Sequence, residues 1–502
     1  QFGYADGHLT YLSRKDGFKN YDETTAAPAS MSMPEDLKEG FTVTSNYEMP
    51  EIPDAEMPVT GADNGMKLAE LRGADYDDER WETLLDQLTI DEMQNMIAHA
   101  GFQTAEAKSV EKVATVDCDG PSAVSNNFTG AGSVGFPSNV MIACTWNKDL
   151  AHTYGYDMGK MATELGCSGW YAPSMNMHRN SFAGRNFEYY SEDPYLSGTM
   201  AVASTGGIKD GGAWGTIKHF ALNGQESHRF KIDAVCSERA IREIYLKTFE
   251  MAVKEKTVMT LMTSYNPING HWAASNYDLC TTILRGEWGY EGLEMTDWWA
   301  KMNDVVDGGE ESNQDTRDMV RAQNDVYMVV NNNGAEVNSN SDNTESSVEE
   351  GKLTIGELQR ATKNICNFIL NAPVIERELV DTDVAKYYPA VPETEAKYEL
   401  AKDNKVMFNG GKEATLVVEE DAEYTIIVNI SFAKSNLAQS TVNVNANGET
   451  MAVIQTNGTD GNWITQKLCK VKLDKGAYNL KLEDVLAGIQ VKYIQFKKLK
   501  KK

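Results

Sequence analysis

Between residues 76 and 370, short apolar runs alternate with amphipathic helical patterns. The runs are "ATVDCDG", "SGWYAPSM", "WGTIKHFAL", "VMTLMTSYN", "GLEMTDWW" and "DVYMVV". Helical patterns such as "SERAIREIYLKTFEMAVKEK" and "NYDLCTTILRGEW" separate them. Alternation of this kind implies parallel βα units. Six strands are legible, and a closed barrel takes eight. The expected fold is α/β, a (β/α)8 TIM-like barrel over 76–372. Its first helix is expected in "DDERWETLLDQLTIDEMQNMIAHAG", with a Gly stop.

Beyond the barrel the period changes to two. "ATLVVEE", "EYTIIVNISF", "STVNVNAN", "QKLCKVKLD", "YNLKLED" and "GIQVKYIQF" alternate apolar and polar residues between Gly, Asn and Asp turns. An antiparallel β-sandwich of jelly-roll type is expected over 395–502. Residues 373–394 read as a linker. Residues 1–75, with "EMPEIPDAEMPVTGADNG", have poor periodicity and read as an extended lead-in or a domain remnant. A chain of 502 residues is too long for one compact domain.

The net charge of −27 repels a phosphate backbone, so nucleic acid is not an expected partner. The terminal "KKLKKK" is the one basic cluster and reads as a solvated tail. No apolar run approaches the roughly 20 residues that span a bilayer, so no membrane partner is expected. Seven cysteines, scattered and odd in number, argue against a disulfide framework and fit a reducing, cytoplasmic compartment. Without CxxC or HExxH, no metal and no cofactor is expected.

Unusual residues stand at the strand ends, where a barrel places its chemistry. They are Asp119, Arg185, Glu188, Lys218, His219, Arg229, Tyr265, Asp297 and Trp298. Asp, Lys, His and Arg together make a fork of donors and acceptors suited to sugar hydroxyls, and Trp298 offers an apolar face to a pyranose ring. Asp297 ends a buried strand against two indoles. Either it caps a helix, or it is a catalytic carboxylate, since a buried carboxylate is costly without partners. Glu188 and Asp193 read as structural, partnering Arg or capping a helix. His219 reads as a binding residue rather than a satisfied core histidine. His178 is open between the two roles, His228 reads as structural, and Trp299 reads as packing.

The order of motifs "DGP" (119–121), "GRNFEYYSEDPYLSG" (184–198), "KHFALNGQE" (218–226), "SYNPING" (264–270) and "LRGEWGYEGLEMTDW" (284–298) resembles glycoside hydrolase family 3, nearest its β-glucosidases. The resemblance covers roughly 76 to 370. It implies an exo-acting retaining enzyme acting on a β-glucoside or oligosaccharide, with Asp297 as the nucleophile that forms a glycosyl-enzyme. It implies that Asp119, Arg185, Lys218 and His219 grip the terminal sugar, with Arg229 beside them and Tyr265 near the nucleophile. Lys218 and Arg185 are expected to keep Asp297 ionised.

Such an enzyme needs a second carboxyl about 5–5.5 Å away as acid/base. In the family's β-glucosidases this is a Glu on a separate α/β sandwich domain, and no such domain is legible here. Nor does a Pro-Gly-His-Gly loop, the alternative of the family's N-acetylglucosaminidases, follow "KHF". Glu226 is the best substitute within the chain. "QFGYADGHLTY" at the N-terminus resembles the segment that closes the sandwich domain. The expectation is therefore the C-terminal part of a reversed-domain member, its acid/base on a preceding domain or partner chain. The last domain resembles carbohydrate-binding modules of families 6 and 35, where Trp463 is either a stacking face or packing. Two alternatives stay open: another exo-glycosidase such as a β-xylosidase, and a sugar-binding subunit inactive alone.

Overall fold

The computed structural model describes residues 13–26, 45–48, 58–126, 131–329, 342–376, 386–388, 404–408, 410–434, 439–485 and 487–499. The segment "QFGYADGHLTY", most of the expected linker and the polar loop over 330–341 lie outside them. The chain divides into two units, and in the first, which ends at Thr42, a short helix spans Tyr21–Thr25 among the described residues. The second unit, 43–502, holds everything described below.

Five strands form a regular parallel sheet: β1 (Asp117–Cys118), β2 (Gly169–Trp170), β3 (Trp214–Phe220), β4 (Thr260–Thr263) and β5 (Leu293–Met295), in that order. Every residue in them is buried, which explains why they read as continuous apolar runs rather than alternating ones. Isolated bridges continue the circuit. Met295 pairs parallel with Val326, and Met328 pairs parallel with Ala100. The segment over 97–102 then turns back on itself. Asp117 N donates to Phe102 O at 2.8 Å, Thr115 N to Thr104 O at 3.2 Å and Lys112 N to Ala107 O at 2.9 Å.

Among the described residues, seven extended segments therefore make the ring. One connection is an antiparallel hairpin, where the βα rule predicts a helix. The hairpin escapes the periodicity because Lys112 is fully buried in it. Its ammonium donates to Thr104 Oγ1 and Val113 O, both at 3.1 Å, and to Ala105 O. Burial pushes that amine down to about 8.

Gly101 carries the seam of this ring at φ +138°, and a Cβ there would sit 1.7 Å from Val329 O. Both the backbone conformation and the space exclude a side chain. Gly101→Ala is expected to destabilise the barrel by about 3 kcal/mol or more, since overpacking against backbone adds to the strain of a side chain at that φ, and chemical denaturation would measure it.

The first expected helix is two. Thr89 interrupts it, accepting from Glu92 N at 3.2 Å while Glu92 Oε2 accepts from Thr89 N at 3.0 Å. That capping box starts a new helix, α1 (Ile90–Ala98), after a shorter one over Arg80–Leu85. Helices α2 (Lys148–Glu164), α3 (Pro194–Asp210) and α4 (Lys247–Lys254) follow. Helix α5 (Ile355–Leu370) buries Leu358, Ile365, Phe368 and Ile369 in the barrel core, each worth about 1.5–3 kcal/mol. Leu68 and Leu71, inside the expected lead-in, are fully buried in the same core. Among the described residues no helix is long and apolar enough to cross a membrane.

Cys118 and Cys167 form a disulfide with their Cα atoms 6.1 Å apart, and the other five cysteines are free. This corrects the expectation of unpaired cysteines. The two lie 49 residues apart and meet only because β1 pairs with β2, so no local spacing announces them.

The C-terminal part holds two sheets. One has the order β6 (Lys386–Tyr388), β12 (Ile464–Leu473), β9 (Ala422–Phe432), β14 (Ile489–Lys498), β7 (Lys405–Met407). The other has the order β8 (Glu413–Val418), β13 (Gly476–Asp484), β10 (Gln439–Ala446), β11 (Glu449–Asn457). All pairs are antiparallel except β6 with β12. Alternate residues such as Ile426, Val428 and Ile430 fill a separate core, as the period of two requires.

Candidate active site

A cavity of about 380 Å³ opens at the C-terminal ends of the barrel strands, bordered by Asp119, Arg185, Lys218, His219, Arg229, Tyr265, Asp297 and Trp298. All eight expected site residues meet there. Asp119 follows β1, Lys218 and His219 close β3, Tyr265 follows β4 and Asp297 follows β5. The register with β4 slips between Lys218 and Phe220. That irregularity breaks strand alternation, and consecutive Lys218 and His219 both border the cavity.

Asp297 caps no helix, since a turn follows it. Its Oδ1 accepts from Trp298 N at 2.8 Å, and Tyr265 also hydrogen-bonds to it. His219 Nε2 stands 3.7 Å from its Oδ2. Burial pushes the Asp297 carboxyl above its usual range, and the Arg229 and Arg185 guanidiniums pull it back only in part. Of these opposing effects, burial is the larger. His219 is held well below its usual range by burial and by Arg185, Lys218 and Arg229, so it meets a ligand as a neutral ring.

Lys218 Nζ donates to Asp119 Oδ1 at 3.0 Å. The surrounding walls desolvate Asp119, although its side chain is 43 % open to the cavity. Lys218, the Gly120 N–H and Arg185 outweigh that effect and hold the carboxyl below its usual range. Arg185 is paired with Glu188 through Nε. Arg229 lays its guanidinium over Tyr265, 4.7 Å from the ring centroid. A buried carboxyl, a fixed Asp–Lys pair and two guanidiniums in one small cavity suit a neutral polyol whose hydroxyls both donate and accept.

Glu188 is structural: its carboxylate also accepts from Ser174 Oγ. Asp193 caps α3, accepting from Tyr195 N and Leu196 N at 2.8 Å. His178 bonds the carbonyls of Asn186 and Tyr189. Trp298 borders the cavity, but Phe102 and Tyr171 pack on it with centroids at 4.9 and 5.4 Å, leaving it 9 % exposed. Trp299, read as packing, borders the cavity too and has φ +50°. Phe102 and Met262 complete the wall and were not legible. Phe102 enters through the hairpin seam that the sequence pattern hides.

The family described as "Glycosyl hydrolase family 3 N terminal domain" matches residues 88–368. A β-glucosidase of Ruminococcus albus is 38% identical over 399 residues, covering 76% of this chain and 41% of its own length. The crystal structure of a β-glucosidase from Paenibacillus barengoltzii is 41% identical with a TM-score of 0.66, over 90% of this chain and 51% of that one. β-Glucosidase 3B from Thermotoga neapolitana, in complex with α-D-glucose, is 34% identical with a TM-score of 0.53, over 59% and 43%. The chain thus spans about half or less of the length of these relatives. The matched region runs from α1 to α5 and contains every strand end that borders the cavity; on that match the chain belongs to glycosyl hydrolase family 3.

Proposed function

We propose that this chain carries the sugar-gripping, nucleophile-bearing part of an exo-acting retaining β-glucosidase. The observation that carries the proposal is Asp297, placed at a strand end inside a cavity walled by Asp119–Lys218, Arg185, Arg229, His219 and Tyr265. Asp119 and the arginines hold the hydroxyls of a terminal non-reducing glucose, which puts the anomeric carbon before Asp297. Asp297 attacks it, the glycosidic bond breaks, and water later releases glucose from the glycosyl-enzyme. A β-glucosidase in complex with glucose among the similar structures supports the choice of sugar.

The proton for the leaving group comes, in this proposal, from a Glu on a preceding α/β sandwich domain or partner chain. In support, Asp119 and Asp297 are the carboxylates among the described lining residues, and Asp119 is committed to Lys218. The same observation favours a second reading, a sugar-binding subunit without turnover alone. Hydrolysis of 4-nitrophenyl β-glucoside by the chain, alone and with such a domain added, separates the two. Faster hydrolysis of the xyloside would replace glucosidase by β-xylosidase.

The proposed catalytic unit is 76–372 and the proposed linker 373–394. Residues 395–502 are proposed as a carbohydrate-binding-module-like domain, with Trp463 exposed beside a cavity of about 470 Å³. A cytoplasmic setting rests on the five free cysteines; the Cys118–Cys167 pair is the observation against it.

Because burial raises the Asp297 carboxyl, the acidic limb of kcat/KM is expected at a higher pH than the ordinary aspartate value of 3.8. Protonation on lowering the pH removes the nucleophile, and a raised pKa makes that loss begin earlier. A pH profile of kcat/KM measures it; a limb at or below the ordinary value would exclude a desolvated nucleophile.

A further inference from the structure

Arg185 and Arg229 reach the cavity from different loops and share one carboxylate. Glu226 Oε2 accepts from Arg229 Nη1 at 2.9 Å. Glu226 Oε1 lies 4.0 Å from Arg185 Nη1 and accepts from Asn223 Nδ2 at 3.3 Å. The stem of Glu226 is also fixed. Gly184 packs on it at φ +85°, so closely that a Cβ on Gly184 would lie 3.1 Å from Glu226 Cγ. Glu226 itself does not border the cavity. A proton donor has to reach the glycosidic oxygen, whereas both oxygens of Glu226 face the two arginines and Asn223.

We propose that Glu226 is a positioning residue, which fixes both guanidiniums at the sugar and tempers the positive field that they place on Asp297. This role rests on the β-glucosidase assignment. It replaces the expectation that Glu226 could serve as the acid. Asp297 is acted on by His219 at 3.7 Å, the Tyr265 hydroxyl, the Trp298 N–H at 2.8 Å, and Arg185 and Arg229 by charge. The Asp119–Lys218 pair borders the same cavity. Without the Glu226 charge, Glu188 neutralises Arg185 alone and Arg229 loses its 2.9 Å partner. Asp297 then meets a stronger positive field and keeps its charge to lower pH.

The test is calorimetric binding of deoxynojirimycin, a glucose-shaped cyclic amine, to the full chain across a pH series. Glu226→Gln is expected to weaken binding at least about tenfold, as loss of a charge-assisted contact does. It is also expected to move the acid-side loss of affinity to lower pH. Glu226→Asp keeps the charge but shortens the reach, so affinity falls while the pH midpoint stays. Gly184→Ala, strained by its φ of +85° and pushing on the Glu226 stem, should also weaken binding with the midpoint unchanged; if Glu226→Gln does not fold, wild-type affinity in Glu226→Asp would overturn the role. Wild-type affinity and midpoint in Glu226→Gln, with binding lost in Asp297→Asn, would overturn this role and leave the glucosidase assignment standing. Failure of the unmodified chain to bind would overturn both.

Discussion

Replacing Asp297 by Ala is expected to reduce turnover by at least about 10⁴-fold, the order seen when a covalent nucleophile is removed. The fold is expected to survive, and the reason lies in the site's electrostatics. Asp297 is 7 % exposed, and its charged form is disfavoured by burial. A carboxyl whose folded pKa exceeds its unfolded one favours the fold while protonated, and that contribution is lost as pH rises through the folded value. When ionised, the side chain is therefore a liability that function retains. Asp297→Asn keeps an oxygen for Trp298 N and sheds the charge. Its melting temperature at neutral pH should equal or exceed that of the unmodified chain, with turnover gone. Lower stability in Asp297→Asn would contradict the burial argument, and unchanged turnover in either variant would remove the nucleophile assignment.

Asp119→Ala is the second large effect, expected at about 10³–10⁵-fold in kcat/KM. A site built to hydrogen-bond a hydroxyl discriminates on that scale, because the groups left unpaired in the transition state are costly. Here the loss is double. The sugar loses an acceptor, and Lys218, whose side chain is 5 % exposed, loses its partner at 3.0 Å. Asp119→Asn keeps the shape and part of the hydrogen bonding, so it should fall between the two. Glucoside and its 4- or 6-deoxy analogues should differ strongly with the unmodified chain and little with Asp119→Ala. Equal efficiency on glucoside and deoxyglucosides before mutation would contradict the assigned contact.

The candidate site was legible because its chemistry sits at strand ends. A buried strand is apolar, so a carboxylate or a Lys-His pair at its C-terminal end stands out against it, as Asp297 and Lys218–His219 do. Three features were hidden for identifiable reasons. The hairpin over 102–117 carries a buried lysine, Lys112, where an apolar residue would have marked a strand. The Cys118–Cys167 pair depends on sheet pairing rather than on spacing. The direction of the Asp297 shift depends on how deeply the barrel buries it, which local sequence cannot express. The division of labour between the two indoles was equally out of reach. Phe102 and Tyr171 pack on Trp298, while Trp299 packs on the same core and also borders the cavity.

Trapping with 2-deoxy-2-fluoro-β-glucosyl fluoride tests the central claim most directly. Fluoride departs without a proton, so the labelling step does not require the acid/base carboxyl and can be run on this chain as it is. After digestion and mass spectrometry, the fluoroglucosyl group is predicted on Asp297, with no labelling in Asp297→Asn. Stoichiometric label on any other residue would contradict the account.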